Sequence, residues 1–150
     1  MIKQLLRIFI TLSVLFILHP GCAAVRGTPD GNEASPEVKK LVKTTQSWDG
    51  NRLPAYPEGQ PEITILRIRI PAGFQLDTHR HPVINAGMMI SGQLTVVTKN
   101  GETLHLKAGD PIVEVVNTWH YGVNEGKVPA EIVVFYAGVV DTPITILEPR

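Results

Sequence analysis

Three of the five histidines are spaced as metal ligands could be. His79 and His81 are two apart in a strand-like stretch, so both side chains point to one face. His120 follows about forty residues later, at the head of another strand candidate, and could arrive from across a barrel. Three neutral imidazoles with open positions suit a divalent first-row ion such as Fe, Mn, Ni, Co or Zn. On spacing alone a second reading stays open, in which His79-Arg80-His81 is the exposed polar tip of a hairpin. No protein nucleophile and no evident general acid–base pair accompany these residues, so the chemistry would rest on the ion.

The rest of the chain must supply elements that hold them. Of 150 residues, 14 are Ile, 16 Val and 12 Thr, and 13 Gly and 12 Pro punctuate them. Strand formers broken by turn formers at close intervals predict an all-β sandwich or barrel. Expected strands are Ile63 to Ile70, Gln75 to His79, Ala86 to Ile90, Gln93 to Thr98, Thr103 to Leu106, Ile112 to Val116, His120 to Val123 and Glu131 to Ala137. Asn100-Gly101 is a hairpin turn signal, because both residues tolerate positive φ. Fourteen basic residues balance 14 acidic ones, which argues against nucleic acid as a partner.

Residues 1–22 read as an export signal and 23–45 as a tether with a short helix, leaving 46–150 for the barrel. Lys3 and Arg7 precede the apolar run Ile8 to Leu18, which is too short to span a bilayer core of roughly 30 Å. Cys22 after Gly21 resembles a lipoprotein attachment site, with cleavage after Ala24 as the alternative. The expectation is an exported protein, periplasmic or lipid-anchored, that meets the membrane only through that signal or lipid. Ser35-Pro36-Glu37 is a helix-start pattern, and Val38, Leu41 and Val42 form one stripe after it. The segment from Trp48 to Pro61 reads as an ordered loop anchored by Trp48 and Tyr56. One cysteine excludes an internal disulfide framework.

Two spaced motifs add a family resemblance. Gly73, five residues, His79-Arg80-His81, three residues, Asn85, six residues and Gly92 resemble the first motif of the cupin superfamily. Gly109, five residues to Val115, then His120 and Asn124 with three residues between them resemble the second. The resemblance implies a double-stranded β-helix, or jelly roll. It also implies that His79, His81 and His120 hold a divalent metal ion, with Asn85 in the fourth position. The family's glutamate is Asn85 here, and the second motif's Pro and inner Gly are Val115 and Asn117. An amide oxygen leaves the ion its full charge, so it should be held less tightly while polarising an anionic ligand more.

Two functions follow. One is a metal-dependent enzyme acting on a small molecule, of the dioxygenase, isomerase or lyase type. The other is a non-catalytic ligand-binding or sensory module. Alternation from Asn85 predicts Met89 as an apolar pocket wall, and Tyr136 is a candidate for the barrel mouth. Glu114 lies within the second motif and could carry charge into the site, but as a strand residue between Val113 and Val115 it is rather expected to face solvent or pair with an arginine. Arg67 and Arg69 share a face, expected to be a solvated outer face or a dimer contact, with a clamp on a substrate carboxylate as the alternative; Trp119 and Tyr121 are expected to point away from His120, and His105 to lie at the surface. Apolar strands that need cover, and the habits of the resembled family, predict a homodimer.

Overall fold

The protein is described from a computed structural model over residues 35–150. The expected signal, Cys22 and the tether lie outside the described residues. Among the described residues every regular element is a strand. In chain order they are β1 (Pro61–Ile70), β2 (His79–Arg80), β3 (Ile84–Ser91), β4 (Gln93–Thr98), β5 (Thr103–Lys107), β6 (Pro111–Val113), β7 (His120–Val123), β8 (Ala130–Val139) and β9 (Ile146–Leu147). They form two antiparallel sheets, ordered β1-β8-β3-β6 and β5-β4-β7-β2-β9. This is the jelly-roll architecture that the sequence predicts.

The short helix is not there. Residues 35–44 carry no regular secondary structure. Val38 is 91% exposed and Leu41 and Val42 are about half exposed, so the apolar stripe finds no surface to cover it. A helix of two or three turns is marginal in water without such packing. Tyr56, at 77% exposure, anchors nothing, whereas Trp48 packs against the core.

The two sheets face each other across Ile70, Val83, Leu94, Val96, Ile112 and Ile132, with others of their kind. β1 shows the period of two that drives this: Ile68 and Ile70 turn inward while Ile63, Ile65, Arg67 and Arg69 stay exposed. Arg67 pairs with Glu131 at 2.5 Å on the outer face of the neighbouring β8. β2 is shorter than expected, with Gln75 making only an isolated bridge to Val123. β6 stops at Val113 and not at Val116. β9, which the sequence reading missed, is only two residues long and pairs with β2.

Two turns depend on glycine. Between β4 and β5, Gly101 takes φ 88° while Thr98 N donates to Glu102 O at 2.9 Å; Asn100 keeps a negative φ. At Gly92, φ is 71° and a Cβ would stand 2.6 Å from Pro129 O, so the β3–β4 turn has no room for a side chain. Asn117 occupies the place of the resembled motif's inner glycine and has φ 56°. Asparagine is among the residues that tolerate this left-handed conformation, so the substitution keeps the turn. Its N–H donates to His81 O at 2.8 Å, tying that turn to the histidine stretch.

Candidate metal centre

β2 and β7 lie side by side with His79 directly opposite His120, and His81 follows two residues on, just past the end of β2. The ring centroids are 4.5 Å apart for His79–His120, 4.9 Å for His79–His81 and 5.1 Å for His81–His120. One ring nitrogen from each lies within 4.8 Å of the others. Each Nδ1 meets a backbone carbonyl: His79 with Asp77 at 2.8 Å, His81 with Ile144 at 2.7 Å, His120 with Thr118 at 2.9 Å. A carbonyl can only accept, so each Nδ1 carries the proton and each Nε2 keeps a lone pair. Three neutral donors fixed in one tautomer fit a divalent transition-metal ion, with no cysteine to bias the site toward soft metals.

Burial disfavours the charged imidazoles. It pushes His81 down to about 4, and lowers His79 and His120 as well, with the neighbouring imidazoles adding to the effect on His79 and His81. Above about pH 6.5 the His81 ring is neutral in both folded and unfolded chains, and stability is undiminished. Below that, the unfolded chain gains a proton that the folded one refuses, until about pH 4. The metal-free protein should therefore lose roughly 3 kcal/mol through His81 as the pH falls through that window. Urea unfolding of stripped wild type and His81→Asn across pH 7 to 4 measures it; parallel curves would show that His81 is not held neutral.

Asn85 on β3 lines the same cavity and is 2% exposed. Its Nδ2 is buried and finds no hydrogen-bond partner among the described residues. Tyr136, beside it on β8, is 3% exposed and sets its ring against His81 at 5.3 Å. Burial, with the charge of Glu114, pushes its hydroxyl up to about 12, so it remains a donor at neutral pH.

Two expectations are corrected. Met89 is 1% exposed in the core cluster, and the cavity wall is made by other residues. It shares the inward face with Asn85, but four residues further along β3 place it roughly 13 Å away. Glu114 does not face solvent; it is 8% exposed and lines the cavity. The expected register puts Val113 and Val115 on the inner face, whereas on β6 Ile112 is buried and Val113 half-buried, so the period of two carries Glu114 inward beside Ile112. Its Oε1 accepts from Trp48 Nε1 at 2.7 Å and from Val115 N at 2.9 Å. Burial raises its carboxyl above the usual range, against these hydrogen bonds. Among the expected bystanders, Trp119 lies under the Arg80 guanidinium at 5.0 Å, and His105 is exposed with Nδ1 against Thr95.

The cavity at the histidines has a volume of about 60 Å³. It shares Ile68, Leu76, His79, His81 and Tyr136 with an adjoining cleft of about 340 Å³, which continues past Phe74 and Leu147. Neither is lined by a lysine or arginine among the described residues.

A jelly roll with three imidazoles converging inside it is a double-stranded β-helix protein with a candidate metal centre. The family model described as Cupin domain matches residues 66–136, so this stretch of the chain is similar to the cupin family. No curated protein matches the sequence. Among solved structures, it resembles a double-stranded β-helix protein from Klebsiella pneumoniae subsp. pneumoniae at 21% identity and TM-score 0.51, covering 75% of this chain and 100% of that one. The DMSP lyase DddQ from Ruegeria pomeroyi is 19% identical at TM-score 0.50, over 57% of this chain and 42% of that one. An oxalate oxidase in complex with glycolate is 22% identical at TM-score 0.49, over 57% and 45%. The chain thus spans under half the length of the lyase and the oxidase, and the likenesses to the Klebsiella protein and the lyase speak for the fold.

Proposed function

We propose that this protein is an exported metal-binding cupin whose barrel takes up a small molecule and acts on it as a metal-dependent enzyme of the dioxygenase, isomerase or lyase type. The observation that carries the reading is the convergence of three Nε2 lone pairs beside a cavity that continues into a cleft. A pocket packed shut by Met89 would have favoured a binding module without turnover, and Met89 lies elsewhere. A divalent ion there would supply Lewis-acid or oxygen-activating chemistry.

The chain's own residues would do the rest. Asn85 Nδ2, without a partner, is free to donate to an oxygen of the substrate. The Tyr136 hydroxyl, protonated at neutral pH, can donate a second hydrogen bond from the same wall. Leu76, Phe74 and Leu147 favour an apolar body in the cleft and exclude water from it. With no lysine or arginine among the described residues in the lining, anionic groups of a substrate would have the ion as their main partner.

Export rests on Lys3, Arg7 and the apolar run after them, and lipid attachment on Cys22. A homodimer is supported by the exposed apolar side chains of Ile63, Ile65, Met88 and Phe135 on the outer face of the β1-β8-β3-β6 sheet.

Metal analysis of protein purified anaerobically, without a polyhistidine tag, tests the central claim. Near-stoichiometric divalent metal is expected. Consistent absence, even after reconstitution, would overturn the metal-dependent reading and leave a metal-free binding module.

A further inference from the structure

We infer that Glu114 supplies, from the end of β6, the carboxylate that the cupin motif places at residue 85 on β3, and that Trp48 aims it. The inference rests on the metal centre proposed above. β6 and β3 are paired neighbours, and Glu114 N donates to Asn85 O at 3.1 Å, so the two residues reach one cavity from adjacent strands. Both hydrogen bonds to the carboxylate, from Trp48 Nε1 and Val115 N, fall on Oε1. Oε2 accepts no hydrogen bond from any described residue and stands 3.9 Å from His120 Nε2. One oxygen is thus clamped and the other is left facing the histidines.

The charge balance points the same way. A carboxylate taken out of water costs several kcal/mol unless an opposite charge answers it. No lysine or arginine among the described residues lines the cavity to supply that charge. A divalent cation among the three Nε2 atoms is the countercharge that this arrangement lacks. The same reasoning accounts for Asn85. A glutamate at 85 would set a second carboxylate beside Glu114, and like charges at that range repel. Asparagine at 85 with glutamate at 114 keeps one negative charge at the site, moved by one strand. Trp48 lies outside residues 66–136, so the loop before the barrel, and not the barrel alone, completes the site.

Glu114→Gln keeps the shape and the oxygen that accepts from Trp48 and Val115, and exchanges the charged Oε2 for a neutral amide NH2 that cannot accept or ligate. A purely structural role would survive it. The measurement is chelator competition with Zn²⁺ at pH 7.5 on wild type, Glu114→Gln and the exchange variant Asn85→Glu/Glu114→Gln. Glu114→Gln should weaken Zn²⁺ binding by about 10–100-fold, the range typical of groups that tune a metal site from beside it. The exchange variant should recover most of that loss, because the carboxylate returns to the neighbouring strand. Wild-type affinity in Glu114→Gln would overturn the inference, as would an exchange variant no better than the single one. Should Glu114→Gln fail to fold, Trp48→Phe takes its place: weaker Zn²⁺ binding supports the aiming of Glu114, and unchanged binding overturns it. A wild-type protein that binds no Zn²⁺ would instead sink the metal centre itself, and the role of Glu114 with it.

Discussion

Replacing His120 with alanine is expected to weaken divalent-metal binding by more than about a hundredfold, since altering groups that merely support a ligand already costs about 10–100-fold. His120 is 2% exposed, faces His79 across the β2–β7 ladder and is oriented by Thr118 O. Its loss would leave two imidazoles from one short strand, with nothing opposite them to close the site. The fold should persist, because the hydrophobic contacts between the sheets are made by Leu94, Val96, Ile132 and their neighbours. Zn²⁺ titration against a competing chelator, with circular dichroism as the check on folding, measures the effect. Undiminished affinity in a folded variant would remove His120 from the centre and with it the three-histidine description.

The second large effect concerns stability. Asn124, fully buried, is not a site residue but a tie between chain segments. Its Nδ2 reaches the carbonyls of Ile70 and Pro71 at 3.1 Å and of Val128 at 2.9 Å, and its Oδ1 accepts from Gly126 N at 2.9 Å. One amide therefore joins the end of β1 to the turn that leads from β7 into β8. Asn124→Ala would orphan several of these groups, at about 1–3 kcal/mol for each that stays out of water. A total loss of about 4 kcal/mol is expected, large beside the usual 5–15 kcal/mol margin of a domain. Urea denaturation reads it directly. A loss under about 1 kcal/mol would mean that water or a shifted turn replaces the amide.

Pattern made a β sandwich or barrel legible, and the two-motif resemblance narrowed it to a jelly roll and grouped the three histidines. β4 and β7 run as read, Gln93 to Thr98 and His120 to Val123, because clean alternation ends in turn residues there. His79 and His81 were legible because a period of two fixes a shared face, and the motif then named the strand opposite. Where the reading failed, a local rule gave way to tertiary context. The capping pattern at Ser35 could not show that no surface would cover Val38. Alternation sent Glu114 outward because it put Val113, and not Ile112, on the buried face. Nothing near Trp48 in the sequence shows that its indole reaches the residue just past β6. β9 escaped notice because two residues carry no period.

The carbonyl that orients His81 belongs to Ile144, and β9, which pairs with β2 on the side away from β7, lies beyond β8 in the chain. During synthesis this part of the polypeptide is made after every other described strand. His79 and His120 can already stand opposite each other while His81 still lacks the partner that sets its tautomer. The geometry of the centre is therefore completed by residues beyond β8, after the other strands of the two sheets are in place. A chain cut short beyond β8 would retain most of the barrel and yet present an unfinished centre. Metal content would then tell chains that carry Ile144 and β9 from truncated ones that fold almost as well.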